Sequence, residues 1–368
     1  MRNILITGGT GFLGSYILHE LLKDGDNYVY VLARGKGGAT AKARVDNILN
    51  SFYGNNIPDN ISERFTTIEG DIENSSLGLT ADTAKRLSGV VDEIYHSAAL
   101  AEFRVSIDKV RKANVTGTKN LLDFALECRK RGRDICVNHI STAYVAGNMK
   151  GIFYEKDLDV RQGFNNTYEK SKFEAEQLVK AYSEGGLKVR IFRPSIITGD
   201  SLTGNTTSFK MFYQPLHFFA AELFERAPGN RNNCANLIPV DWAAKIIHDI
   251  ANKKDGYGHT FHVVGQSSVK VGYFFDLASD FFGFKKIDFV PLGEFDMSTL
   301  TYAQRMLLDP FIPYFNSSPL FDLKNTKSAL GADGLSAFSL SEDHIIRLFE
   351  FCDNSGFIRR VRRHAVAG

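Results

Sequence analysis

Residues 4–14 read ILITGGTGFLG, and this stretch constrains the chain more than any other. Ile4, Leu5 and Ile6 form a short apolar run without polar alternation, as expected of a central parallel strand buried on both faces. Glycines follow at positions 8, 11 and 14, and a helical apolar pattern (Phe12, Leu13, Ile17, Leu18, Leu21, Leu22) begins inside the turn. A strand that runs through glycine into a helix start gathers free backbone N–H groups and the positive end of the helix dipole, which together make a phosphate site. The early glycine permits the tight turn, the middle one lets backbone approach a pyrophosphate, and the late one lets helix pack on strand. The spacing is not G-x-G-x-x-G; the strand-turn-helix context is what points to a dinucleotide.

The next strand, Tyr28 to Ala33, ends at Arg34, twenty residues after Gly14. An NAD site usually has an acidic residue there for the ribose 2′-hydroxyl, whereas a 2′-phosphate calls for a guanidinium. Arg34 therefore points to NADP. Lys36, Lys42 and Arg44 follow, either as further positive charge for that phosphate or as a solvated basic loop. After a third strand, Phe65 to Glu69, Asp71 either meets the adenine or caps the next segment.

Strand and helix continue to alternate. Glu93 to His96, Asp134 to Ile140 and Val189 to Phe192 read as strands; Val110 to Arg129 and the region of Phe173 to Tyr182 read as helices. Such alternation means an α/β fold, a doubly wound parallel sheet with right-handed crossovers. The long connection from Gly35 to Arg64 carries helical spacing at Val45, Ile48, Leu49 and Phe52, so it is read as an inserted helix and loop. Past Pro194 the texture changes to a Gly/Thr/Asn/Ser-rich stretch and then to dense phenylalanine, as in a mostly helical cap interleaved with the last strands. Within that cap the phenylalanines read first as core and second as a slot for an acyl chain.

Of 368 residues, 44 are basic and 42 acidic, a balance that gives no electrostatic case for nucleic acid. Cys128, Cys136, Cys234 and Cys352 lack C-x-x-C spacing, and Met1-Arg2-Asn3 leads directly into a strand, so a cytoplasmic protein with free thiols is expected. No run of 18 apolar residues suggests a membrane span. His139 and His248 lack metal-ligand spacing, so no metal is expected. The basic tail Phe357 to His364 is read as a solvated helix end, or as a peripheral contact for a membrane surface or an acidic carrier.

The chemistry concentrates at Tyr168-Glu-Lys-Ser-Lys172. Four residues apart on a helix, Tyr168 and Lys172 share a face. A phenol with an ordinary pKa near 10 becomes an acid/base near neutrality when a cation favours the phenolate, and Lys172 is spaced to be that cation. Upstream, His139-Ile140-Ser141-Thr142 ends a strand at the carboxyl edge, where open parallel sheets bind ligands. A hydroxyl there can donate to an oxygen that gains charge as hydride arrives. Ser141 and Thr142 both qualify, and strand alternation admits one of them.

TGGTGFLG, HSAA (His96 to Ala99), Asn114 in NVTGTKNLL, STAYVAG and YEKSK together resemble the extended short-chain dehydrogenase/reductase superfamily. A finer resemblance, to thioester reductase domains and fatty acyl-CoA reductases, is carried by LAR, GDI, STAYV, the run Arg193 to Gly204, IPVDWAAKIIHDIA and FDLKNTKSAL. The resemblance implies a Rossmann-type domain over residues 1–200, with 236–264 returning to it, and a substrate cap over 201–235 and 265–368. It implies a catalytic Thr142, five residues before Gly147, with Tyr168 and Lys172. Cofactor contacts are implied at Thr7, Gly8, Thr10, Gly11, Phe12, Leu13 and Gly14 in the first turn, and at Arg34, Asp71 and Ile72 beside it. Others are implied at Ala98, Ala99, Asn114 and Ser141, at Tyr168 and Lys172 themselves, and at Pro194, Ser195 and Ile197. Gly199, Asp200 and Thr203 would line the substrate approach, and Asp241 would fix cap to sheet.

The implied activity is NADPH-dependent reduction of an acyl thioester, borne by CoA or an acyl carrier protein, to an aldehyde or onward to an alcohol. With no adenylation or carrier segment ahead of the glycine turn, the acyl group is expected from a separate donor. The rival readings are a carbonyl reductase or hydroxysteroid-type dehydrogenase, a sugar-nucleotide epimerase of the same superfamily, and a non-enzymatic NADP-binding protein.

Overall fold

The computed structural model describes residues 1–317, 319–331 and 339–360. Its centre is a parallel sheet of seven strands, numbered here in chain order: β1 Arg2–Thr7, β2 Asn27–Ala33, β3 Phe65–Glu69, β4 Glu93–His96, β5 Cys136–Ile140, β6 Lys188–Pro194 and β7 Thr260–Val263. Their spatial order is β7-β6-β5-β4-β1-β2-β3. The chain reverses direction across the sheet between β1 and β4, and such a switch point opens a crevice at the carboxyl ends of the strands.

β1 shows why both faces are covered. Ile4 and Ile6 enter one apolar layer with the helices Phe12–Lys23 and Val240–Ala251, while Leu5 enters the opposite layer with Leu121, Leu122, Ala125 and Val179. All three β1 residues are fully buried. The inserted helix spans Ala41–Tyr53, capped by Thr40, whose hydroxyl accepts from the Ala43 amide at 3.1 Å.

The expected helix Val110 to Arg129 begins earlier and is interrupted. It runs as Ile107–Arg111, a π-helical turn at Lys112–Thr116, then Gly117–Lys130. The apolar spacing of the α-helical parts hides the wider turn. The helix expected near Phe173 to Tyr182 is longer, Thr167–Glu184, so Tyr168 lies in its first turn.

The phenylalanine-rich region forms its own core. Phe212, Phe219, Phe275, Phe289, Phe315 and Phe349 are all buried and pack ring to ring; Phe219 and Phe275, for example, lie 5.0 Å apart. That density is core packing among these six rings. Part of the late sequence returns to the sheet: helix Lys324–Leu330 packs on β7, with the buried Glu155 carboxylate accepting from the Thr326 hydroxyl at 2.7 Å and the His262 amide at 2.9 Å. In the basic tail, Phe357 stacks on Phe209 at 4.0 Å and the Arg360 guanidinium donates to the Phe281 carbonyl at 2.6 Å. These two residues are thereby engaged by the cap; positions 361–364 lie outside the described residues. No described helix is long and apolar enough to cross a membrane.

Candidate active site

The glycine turn needs its glycines for steric reasons. Gly8 has φ +75°, and a Cβ there would lie 2.5 Å from the Ala98 amide nitrogen. A Cβ on Gly14 would meet the Gly8 carbonyl oxygen at 2.0 Å, a contact only glycine escapes. The following helix starts at Phe12 with Gly11 as its N-cap and no side chain capping it. The first-turn amides, including those of Phe12, Leu13 and Gly14, therefore lack intrahelical acceptors and suit a phosphate.

At the end of β2, one guanidinium nitrogen of Arg34 donates to Asp71 Oδ2 at 2.9 Å and to Glu73 Oε1 at 3.3 Å. Asp71 Oδ1 accepts from the Glu73 amide at 3.0 Å, so this carboxylate caps its own turn as well as pairing with Arg34. Ile72 packs against Gly117, where a Cβ would lie 2.7 Å from the isoleucine Cδ1. Arg44, from the inserted helix, donates to the Arg34 carbonyl at 2.6 Å and to Thr10 Oγ1 at 2.7 Å. The basic loop thus separates by residue: Arg44 reaches the glycine turn, whereas Lys42 pairs with Asp46 on its own helix at 2.6 Å.

Beneath the switch point, Thr7 Oγ1 meets His96 Nδ1 at 2.8 Å, and His96 Nε2 meets Thr118 Oγ1 at 3.0 Å. Burial first, and the Lys172 charge second, bring the His96 imidazole down to about 3, so it is neutral here. The π turn carries Asn114, whose Oδ1 accepts from the Leu100 amide at 2.7 Å while Nδ2 donates to Ser171 Oγ at 2.9 Å. Ser171 in turn donates to the Tyr168 carbonyl at 2.8 Å. Asn114 therefore ties the loop containing Ala98 and Ala99 to the helix bearing Tyr168.

Lys172 is buried and donates from Nζ to the Ile140 carbonyl at 2.7 Å, at the end of β5. Burial lowers its ammonium to about 8, against an opposing pull from the Glu176 carboxylate. Tyr168 departs from expectation. Its phenol is pushed above its ordinary value, by burial first and by the Glu169 carboxylate second.

Ser141 and Thr142 are both buried. The Thr142 hydroxyl accepts from the Tyr144 amide at 3.2 Å and donates to the Pro194 carbonyl at 3.4 Å, whereas Ser141 Oγ has no hydrogen-bond partner among the described residues. Ser195 Oγ, just beyond β6, is also buried and unpartnered. Two orphaned hydroxyls at the carboxyl edge suit the amide of a nicotinamide, since buried polar groups normally find partners. Ile197 belongs to a two-stranded pairing with Ile238 and packs on the sheet core.

The loop after β6 is tied internally. Asp200 Oδ1 accepts from the amides of Leu202 and Thr203 at 3.0 and 2.9 Å and from the Thr203 hydroxyl at 2.9 Å. A Cβ on Gly199 would strike the Gly204 carbonyl at 2.1 Å. Asp241 accepts from the Ser201 amide at 2.8 Å and its hydroxyl at 2.6 Å. The polar atoms of Asp200 and Thr203 thus stabilise the loop itself.

Several contacts near Tyr168 had no sequence signal. The Phe103 ring lies 6.3 Å from that of Tyr168 and 6.0 Å from that of Tyr314. The Tyr314 hydroxyl donates to buried Glu169 Oε1 at 2.6 Å and accepts from Asn166 Nδ2 at 2.8 Å. Lys210 donates to the Ala101 carbonyl at 2.7 Å. These contacts join the cap to the loop after β4 and to the first turn of the Tyr168 helix.

Residues 6–247 match a family profile described as Male sterility protein, an NAD-binding family. Among curated relatives, a carboxylic acid reductase from Segniliparus rugosus is 30% identical over 310 residues, covering 74% of this chain and 25% of the relative. The L-2-aminoadipate reductase of Saccharomyces cerevisiae is 28% identical over 262 residues, covering 67% of this chain and 18% of its own length. The chain therefore spans a quarter or less of these two relatives. Among solved structures, the terminal R domain from the myxalamid PKS-NRPS biosynthetic pathway superposes with a TM-score of 0.82 at 27% identity, over 98% of this chain and 92% of that one. The profile covers well over half of the residues, and the sheet order and glycine turn agree with it: the chain belongs to the male sterility protein family of extended short-chain dehydrogenases/reductases, NAD(P)-dependent oxidoreductases.

Proposed function

We propose that the protein reduces an acyl thioester, borne by CoA or by an acyl carrier protein, to the aldehyde with NADPH, through Thr142, Tyr168 and Lys172. The observation that carries this reading is the convergence at one sheet edge of the glycine turn, the Thr142 hydroxyl and Lys172 on the Ile140 carbonyl, beside the helix turn that bears Tyr168. The likeness to an R domain and to a carboxylic acid reductase supports the thioester branch.

The residues present fit a dinucleotide: an uncapped helix start behind Gly8 and Gly14, Arg34 and Arg44 for a 2′-phosphate, and orphaned Ser141 and Ser195 for a carboxamide. Bound NADPH would supply hydride to the carbonyl carbon. Thr142 and Tyr168 would donate hydrogen bonds to the carbonyl oxygen as it gains charge. A phenol held protonated by burial suits the donor role, and Lys172 would hold the ribose and return the proton. Collapse of the tetrahedral adduct breaks its C–S bond and releases the aldehyde and a thiolate, which takes up one proton by way of Tyr168 to leave as the thiol. Residues 1–200 with 236–264 would hold the cofactor, joined by the helix Lys324–Leu330 on β7, and 201–235 with the cap helices after 265 would close over the acyl group.

The test is NADPH oxidation against acyl-CoAs of rising chain length, with thiol release followed in parallel and free aldehydes and ketones alongside. Thiol release matched to NADPH loss is expected. Turnover of ketones without thiol release would move the protein to the carbonyl reductase branch. Tyr168→Phe should lower turnover by about 10²–10⁴-fold and leave NADPH binding intact; unchanged turnover refutes the assignment.

A further inference from the structure

Arg34 does not stand free at the end of β2. The guanidinium nitrogen that donates to Asp71 also meets Glu73 Oε1 at 3.3 Å, and the other oxygen of Glu73 lies 3.6 Å from Lys112 Nζ. The two carboxylates are held differently. Asp71 is fixed by the Glu73 amide on its second oxygen, whereas Glu73 is shared between two cations and can keep Lys112 when it releases Arg34. Arg44, anchored on Thr10 and on the Arg34 carbonyl, is in no ion pair among the described residues.

We propose that Glu73 is a specificity-determining residue for the cofactor: its carboxylate occupies Arg34 in place of the 2′-phosphate and so weakens the preference for NADPH over NADH. The inference rests on the reading that Arg34 and Arg44 receive the 2′-phosphate. A dinucleotide without that phosphate leaves the Glu73–Arg34 pair intact and loses nothing. One that carries it shares Arg34, one nitrogen of which Glu73 and Asp71 hold, and lies beside the Glu73 carboxylate. Arg44 supplies attraction without that sharing. The chain therefore contains both a phosphate-selective pair of guanidinium groups and a counter-charge that moderates it. Because Arg34 is about half exposed, the competition is screened by salt.

The test is the binding of NADPH and NADH by nucleotide fluorescence, and of 2′,5′-ADP and 5′-ADP by calorimetry, to the wild type, Glu73→Gln and Arg34→Gln, at low and high ionic strength. Glu73→Gln is expected to tighten NADPH and 2′,5′-ADP by about three- to fivefold at low salt, the range of an exposed ion pair, and to leave NADH and 5′-ADP unchanged. High salt should erase most of the gain. Equal changes for both nucleotide classes, or no change, overturn the proposal if Arg34→Gln still abolishes the NADPH preference. If Arg34→Gln leaves that preference intact, the 2′-phosphate reading itself fails.

Discussion

Arg193 and Glu176 are both fully buried, and removal of the carboxylate is the sharpest test of what holds the Tyr168 helix to the sheet. Arg193 Nε lies 3.0 and 3.2 Å from the two oxygens of Glu176, and Nη2 lies 2.7 Å from one of them. The same guanidinium donates to the Asp157 carbonyl at 2.7 Å and stands 5.0 Å over the Phe153 ring. Glu176→Met would strand this cation out of water with one carbonyl, the His262 Nε2 at 3.4 Å and a ring face. Losing one partner of a buried pair costs about 3–5 kcal/mol. At about 2.1 cal/mol/K per residue, unfolding 368 residues carries an entropy of about 0.8 kcal/mol/K, so Tm should fall by about 4–6 °C. The Glu176→Met/Arg193→Met double variant leaves no stranded charge and should recover most of that loss. Differential scanning calorimetry of the three proteins at neutral pH reads both effects. A single variant melting within about 1 °C of the wild type would refute the reasoning, as would a double variant no more stable than the single.

Lys172 titrates at about 8 in the fold against 10.5 as its ordinary value, so the unfolded chain binds more protons between those values and this group's contribution to stability rises with pH across that window. An anionic dinucleotide beside it should restore the charge. Calorimetric titration with NADPH in buffers of different ionisation enthalpy should therefore show proton uptake above pH 8 and little at pH 7, and Lys172→Met should abolish it; uptake that is the same at both pH values would count against Lys172 as the group. Gly14→Ala places a methyl 2.0 Å from the Gly8 carbonyl and must open the turn. It should cost about 1–3 kcal/mol of stability and most of the NADPH affinity. Normal binding by a folded Gly14→Ala protein would show that the turn tolerates the displacement.

Features written in neighbouring residues are legible from the sequence. The glycine turn, the inserted helix and the Tyr168–Lys172 spacing each lie within about fifteen residues, and the parallel sheet follows from their alternation. Contacts between distant residues are not. Tyr314 meets Glu169 across 145 positions and Lys210 meets Ala101 across 109, and neither has a local pattern that requires a partner. Nothing in YEKSK marks Glu169 as buried; the packed cap buries its carboxylate. Arg44 stands in a basic loop with Lys36 and Lys42, and folding distinguishes it by bringing it to Thr10. The direction of the Tyr168 shift is hidden for a related reason: residue spacing gives the neighbours of a group, whereas desolvation depends on everything packed around it.

The wide turn at Lys112–Thr116 amounts to one surplus residue lodged in an otherwise regular helix. Deleting a single position there would let the hydrogen-bond ladder close to a uniform α-helix, with the flanking segments kept in phase and the wide turn that carries Asn114 lost. Asn114 would then lose either Leu100 or Ser171, which it now holds together from opposite sides. A length change is usually cheapest in loops; here the wide turn sets Asn114 where one side chain meets both Leu100 and Ser171.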